Sequence, residues 1–378
     1  MLNTKETYSN KYFAPGRINL IGEHIDYSGG HVFPCAITYG TYLWINKRED
    51  RQLHFFSENF EDLGVIVSHL DGLVNDPKDD WANYPKGVIK KFQEAGYEIP
   101  VGLDLYYMGN IPNGAGLSSS ASIEVVTAWM LNTLFNFGLS MVECTLLSQK
   151  AENQFVGVNS GIMDQFASGL GQKDNAILLN TNTLEYKYIP VELDNHSIVI
   201  CNTNKRRGLN ESKYNDRRAQ CEAALVLLQK EVNIQAICEL SFEQLESLKH
   251  LIPDEEMYRR VKHAVTENER TLKASQVLQE NNLAEFGRLM NQSHVSLRDD
   301  YEVTGIELDT MVESAWKQPG IIGARVTGAG FGGCAIAIVE NDKIDDFIQN
   351  VGADYLEKIG YQADFYVASV GAGAHEIL

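Results

Sequence analysis

One stretch constrains this chain more than any other: GNIPNGAGLSSSASIEVV, residues 109–126. It follows a run rich in β-branched and aromatic residues and precedes one with helical spacing, so it must turn a strand into a helix. Gly114 and Gly116 let the backbone approach a ligand closely. Ser118, Ser119 and Ser120 stand at the helix start, where free N–H groups and hydroxyls make a phosphate cradle. A helix N-cap needs one serine, and three behind two glycines exceed that need. The stretch is not a Walker A loop, because Ala115 follows Gly114 where lysine is required. No H-R-D or D-F-G triplet of the protein-kinase type occurs.

Around this turn the elements are mixed. TYLWINKR (41–48), QLHFFS (52–57), LGVIV (63–67) and GLDLYYM (102–108) read as strands, followed by helices over 120–136 and 141–156. AILLN (176–180), YKYIP (186–190) and IVICN (198–202) are strands again. Helices are expected over 211–232, 255–277, 282–297, 305–317 and 342–357, with late strands at 334–339 and 364–370. The absence of a strict βα repeat predicts an α+β fold rather than a doubly wound sheet. A chain of 378 residues has room for two domains, and the expected boundary near Asn195 divides it into 1–195 and 196–378.

Three further segments carry candidate chemistry. APGRINLIGEHIDYSGG (14–30) packs Arg17, Glu23, His24 and Asp26 beside tight-turn glycines. Two readings fit it: a polyol site, in which carboxylates accept hydrogen bonds from sugar hydroxyls and arginine supplies fixed charge, or a charged loop with salt bridges. GARVTGAGFGGCAIAIV (323–339) formally matches G-x-G-x-x-G at Gly328, Gly330 and Gly333. Its glycines run into a β-branched stretch instead of a helix, and no acidic residue ends a second strand about 20 positions on, so it fails the dinucleotide requirement. Lastly, Glu152 lies near the end of helix 141–156, with Gly161 and Asp164 shortly after. Those carboxylates suit a metal and a proton transfer respectively. Alternatively, Asp164 is a solvated side chain on a short helix capped by Ser160.

The formal net charge of -19 argues against nucleic acid and anionic membrane surfaces as partners, since both need a basic face. Phosphate can still be met locally by N–H groups, a metal and one or two cations. The six cysteines are scattered, without C-x-x-C pairs, which predicts neither zinc nor disulfides and a reduced, cytoplasmic protein. MLNTKETYSNKYF shows no apolar signal-peptide region, and no apolar run reaches the roughly 18 residues of a membrane span.

Taken together, these segments resemble the GHMP kinase superfamily, whose three motifs occur here in order: the N-terminal segment, the serine loop PNGAGLSSSAS (112–122) and the late glycine loop. The resemblance is closer to the galactokinase family through GRINLIGEHIDY (16–27), AENQFVGVNSGIMDQ (151–165) and NESKYNDRR (210–218), and it spans residue 12 to the end. It implies a two-domain fold, with an N-terminal mixed-sheet domain, a ferredoxin-like C-terminal domain and the active site between them. It also implies transfer of the ATP γ-phosphoryl group to C1 of galactose. Glu23, His24, Ile25, Asp26, Gly161 and Tyr214 would hold the sugar. Gly114, Ala115, Gly116, Leu117, Ser118, Ser119 and Ser120 would wrap the phosphates, with Ser57 near the adenine or ribose. Ser120 and Glu152 would hold Mg²⁺, Asp164 would be the catalytic carboxylate with Arg17 its partner, and the glycine loop 328–333 would close the site. A monomer or weak homo-oligomer is expected. The alternatives are a kinase for a related sugar, such as N-acetylgalactosamine or arabinose, and a non-catalytic galactose-sensing regulator; the intact serine loop and Asp164 speak against the latter.

Overall fold

The computed structural model describes residues 8–112, 116–205 and 210–377, and the elements named below lie within them. The first part of the chain forms β1 (Asn10–Asn19), β2 (His31–Val32), β3 (Pro34–Lys47), β4 (Gln52–Ser57), β5 (Ile66–His69), α1 (Asn83–Glu94), β6 (Leu103–Gly109), α2 (Ser119–Leu134), α3 (Met141–Ala151), α4 (Met163–Leu170), β7 (Asn175–Asn180) and β8 (Tyr186–Pro190). The remainder forms β9 (His196–Asn202), α5 (Asn210–Leu228), α6 (Phe242–Leu248), α7 (Glu255–Gln279), α8 (Leu283–Asp299), α9 (Ile306–Ala315), β10 (Ile321–Thr327), β11 (Cys334–Glu340), α10 (Ile344–Ile359), β12 (Asp364–Ala368) and β13 (His375–Ile377).

A six-stranded sheet runs in the order β13-β1-β3-β6-β4-β5. Its strands alternate: Tyr12, Leu43, Ile45, Leu53, Phe55, Leu103 and Leu105 are buried in one core with α1, α2 and α3. Burying each such side chain stabilises by about 1.5–3 kcal/mol. Between Pro15 and Arg17 the pairing of β1 with β3 shifts register, a bulge of the kind that re-aims the next side chain. The start of α3 is fixed by a capping box in which Ser140 Oγ accepts from the Glu143 N–H (3.2 Å) and Glu143 Oε2 from the Ser140 N–H (2.7 Å).

A four-stranded antiparallel sheet has the order β10-β11-β9-β12. In chain order this is 2-3-1-4, with α5 to α9 between its first two strands and α10 between its last two, the split βαβ pattern of a ferredoxin-like fold. Both faces of its central strands are covered. Val199, Cys201, Ala335 and Ala337 pack into one core, while Ile198, Ile200, Cys334 and Ile336 pack into another shared with β1, β3, α7 and α8. That double burial is why CAIAIV reads as an unbroken apolar run. The last strand, β13, returns to pair with β1, and β2, β7 and β8 form a three-stranded sheet.

Two expectations need correction. The helix expected over 141–156 is α only to Ala151; Glu152–Val156 is a π turn, so the carboxylate of Glu152 sits where the helix widens. Ser160 does not cap the helix carrying Asp164. That helix starts at Met163 with no side-chain cap, and Ser160 Oγ bonds Glu152 Oε2 at 2.5 Å instead.

Candidate active site

The end of β1, the start of α2, α4 and the loop after β10 meet at one ion pair. Arg17, which is 4% exposed, donates Nε to Asp164 Oδ1 (2.7 Å) and Nη2 to Oδ2 (2.8 Å). Its Nη1 donates to the Gly116 carbonyl at 3.0 Å, and its backbone N–H to the Leu117 carbonyl at 3.1 Å. The guanidinium fork thus ties the turn before α2 to the Asp164 carboxylate. Burial works against the Arg17 charge, but Asp164, Glu23 and Asp26 outweigh it and raise its pKa. Ser118 has left-handed φ/ψ (64°, 48°) and makes no cap bond; its hydroxyl donates to Asp164 Oδ2 at 2.5 Å. Among the described residues no side chain caps the first N–H groups of α2, and Ser119 is exposed and Ser120 half-buried beside them. Gly114 and Ala115, expected from the sequence to wrap the phosphates, lie outside the described residues.

On the other side of Asp164 lies the segment 23–26. Asp26 is half-buried, and its carboxyl is pushed up to about 6 by burial and then by the charge of Asp164. Gly161 is packed so closely on it that a Cβ would stand 1.8 Å from Asp26 Oδ2; only glycine fits. Tyr214 of α5 shares this space: its ring centroid lies 5.4 Å from His24 and 5.7 Å from Tyr27. His24, at φ 60°, is held in a strained backbone region. Its Nε2 faces the Ala329 carbonyl (3.1 Å), which can only accept, so Nδ1 accepts from Tyr27 Oη (2.7 Å). Burial holds its pKa down at about 3, keeping it neutral.

Glu23 is turned inward. It accepts from Asn19 Nδ2 and from the Gly328 N–H, and Arg325 Nη2 lies 3.6 Å away. Burial pushes its carboxyl up to about 7 against the pull of Arg325 and Arg17. The side chain of Ile25 lies in the apolar core and not with the polar cluster; its carbonyl takes the Ser28 and Gly30 N–H groups. Gly328 (φ 78°) brings the third glycine loop against the Gly116 carbonyl.

Glu152 is buried, which raises its pKa, while Ser160, Ser120 and Gln165 hydrogen-bond its carboxylate. A hydroxyl and a carboxylate are hard oxygen donors suited to Mg²⁺. Among the described residues no three His, Cys, Asp or Glu form a metal cluster, so the donor set fits a cation that keeps water and phosphate oxygens as its other ligands. Ser57, at the end of β4, accepts from the Asn59 N–H at 3.2 Å.

Several participants carried no sequence signal. Tyr301 extends the His24–Tyr27 chain by an O···O contact of 2.8 Å. His263 touches the Glu23 carbonyl at 3.1 Å. Glu267 accepts from the Gly22 N–H (3.0 Å) and from Ser293 Oγ (2.5 Å). Arg325 alone could have been flagged, as a charge inside the otherwise apolar strand IIGARVT.

The models of three families match the chain: GHMP kinases N terminal domain over residues 83–172, galactokinase galactose-binding signature over 5–47, and GHMP kinases C terminal over 274–358. A galactokinase of Fusobacterium nucleatum is 59% identical over 97% of this chain and 95% of its own length. One of Clostridium perfringens is 56% identical over 100% of both. The crystal structure of Lactococcus lactis galactokinase complexed with galactose is 50% identical and superposes with a TM-score of 0.96, covering 97% of this chain and 95% of that one. Mevalonate kinase of Methanococcus jannaschii, at 19% identity and a TM-score of 0.67, shares the fold. With its ion pair, serine-started helix and three motifs brought to one place, the chain belongs to the galactokinase family of the GHMP kinases.

Proposed function

We propose that this chain is a galactokinase, transferring the γ-phosphoryl group of ATP to the C1 hydroxyl of D-galactose and releasing galactose 1-phosphate and ADP. The observation that carries this reading is the position of Asp164, bound by Arg17 and Ser118 and set between the start of α2 and the Asp26–Gly161–Tyr214 surface.

Phosphoryl transfer has a loose transition state, so positioning and charge stabilisation supply most of the catalysis. A carboxylate offers about four lone-pair sites. Arg17 and Ser118 occupy both on Oδ2 and one on Oδ1. The open site is on Oδ1, and it is there that Asp164 accepts the C1 hydroxyl proton as the O–P bond forms. General-base assistance of this kind is worth about 10²–10⁴-fold. The first N–H groups of α2 and the fixed charge of Arg17 receive the developing negative charge. Ser120 and Glu152 would hold a divalent cation of the Mg²⁺ class, which would supply charge neutralisation for the phosphates. Asp26 and Tyr214 take sugar hydroxyls, and the neutral His24 holds the third glycine loop through Ala329. Six free, buried cysteines support a reducing, cytosolic setting. No helix among the described residues is long and apolar enough to cross a membrane.

The test is ADP release with ATP and, in turn, D-galactose, N-acetylgalactosamine and arabinose. D-galactose is expected to give the highest kcat/KM. A higher value for another sugar would reassign the substrate, and binding of galactose and ATP without turnover would mean a sensor.

A further inference from the structure

Behind the Asp164 site lies a polar trio, Gln165, Glu124 and Glu152, of which the mechanism above uses only Glu152. Gln165, fully buried on α4 directly after Asp164, has two N–H groups on Nε2. It donates to Glu152 Oε2 at 2.7 Å and to Glu124 Oε2 at 3.0 Å. Glu124 lies on α2, one turn beyond Ser120, and is fully buried. One amide therefore spans the end of α3, the first turns of α2 and the start of α4, the three elements that present Glu152, Ser120 and Asp164.

Folding alone does not account for this arrangement. Glu124 Oε1 and Gln165 Oε1 are buried with no hydrogen-bond partner, and unpaired buried polar atoms destabilise. Apolar side chains of the same volume would pack there without that penalty. What the trio does is orient. Glu152 Oε2 is committed to Ser160 Oγ (2.5 Å) and to Gln165, and Ser120 also bonds the carboxylate, so of its roughly four lone-pair sites the one left for a ligand is on Oε1.

We propose that Gln165 is a positioning residue: its amide, anchored on Glu124, fixes the Glu152 carboxylate so that its free oxygen faces a phosphate-bound divalent cation. The proposal rests on the reading of Glu152 as a cation ligand. Partners that orient metal ligands in this way typically contribute about 10–100-fold to metal affinity.

The experiment titrates Mn²⁺ by electron paramagnetic resonance into the full-length enzyme saturated with a non-hydrolysable ATP analogue. Gln165→Leu is expected to weaken Mn²⁺ binding at least about 10-fold, in the range for such orienting partners, with little change in the KM for galactose. Glu124→Gln, which keeps an acceptor oxygen for the amide, should bind Mn²⁺ almost as the parent does. If Gln165→Leu does not fold, Glu124→Leu removes the far anchor and is read in the same way. Loss of Mn²⁺ affinity in Glu152→Ala but not in Gln165→Leu overturns the proposal alone. No loss in either variant overturns the Glu152 reading beneath it, and the proposal with it.

Discussion

Replacing Arg17 by lysine keeps a positive charge at the site and removes the fork. The parent side chain makes three hydrogen bonds: 2.7 and 2.8 Å to the two oxygens of Asp164, and 3.0 Å to the Gly116 carbonyl. An ammonium on a flexible stem acts as a point charge and cannot reproduce a planar, bidentate contact. At a position only 4% exposed, water cannot readily replace what is lost. One bond to a charged partner is worth about 1.5–3 kcal/mol and one to a neutral carbonyl about 0.5–1.5 kcal/mol. Losing one of each comes to about 2–4.5 kcal/mol, or roughly 30- to 2,000-fold if it is expressed wholly in the transition state, at about 1.4 kcal/mol per factor of ten. Steady-state kinetics should show kcat falling within that range while the KM for galactose moves far less, and a thermal melt should still show a cooperative transition. A kcat within about threefold of the parent, accompanied by a large loss of melting temperature, would make Arg17 a structural arginine and refute the reasoning.

Two other perturbations separate the parts of the site. Gly161→Ala drives a methyl group into Asp26, whose Oδ2 would be 1.8 Å away; the carboxylate must rotate off its position. The KM for galactose should rise at least about 10-fold, the scale of one lost bond to a charged group, with the KM for ATP nearly constant, as steady-state kinetics with each substrate varied will show. Glu23→Gln tests a linkage. The folded Glu23 carboxyl titrates at about 7, above the ordinary 4.5, so between those values the folded state holds a proton that the unfolded state has released. That makes the parent lose stability as pH rises through this window. In denaturant melts the variant should therefore gain on the parent from pH 4.5 to 7, and a constant difference would show that Glu23 is not held protonated.

The legible and illegible parts of this chain divide by physical cause. Strands buried on both faces, such as β9 and β11, announce themselves as apolar runs, and the glycine-serine turn before α2 marks both a helix start and a ligand. β1 was hidden because NKYFAPGRIN carries Pro15 and Gly16 at its bulge, where a local reading finds a loop. α1 was hidden by Pro85 and Gly87; the first lies in the opening turn, where proline is tolerated, and the second gives way to Phe155, which a Cβ would meet at 3.0 Å. At the site, Arg17, Asp26, Gly161 and Asp164 stand in motifs dense with polar residues and glycine. Glu124, Gln165 and Glu267 sit on helices at spacings no different from those of ordinary residues, and Tyr301 lies just past the end of α8. Only the packing of α2, α4, α7 and α8 brings them to the site, and that information is not local.

The central claim is that Asp164 receives the proton of the sugar hydroxyl. It is tested most directly by the turnover of Asp164→Asn with ATP and D-galactose, measured beside its affinity for ATP. Asparagine keeps the shape and can still accept one of the two Arg17 hydrogen bonds through its amide oxygen, but it cannot take a proton. The account predicts a folded protein that binds ATP as the parent does and whose kcat falls by at least about 10²-fold, the lower end for general-base catalysis. A kcat close to that of the parent would contradict it.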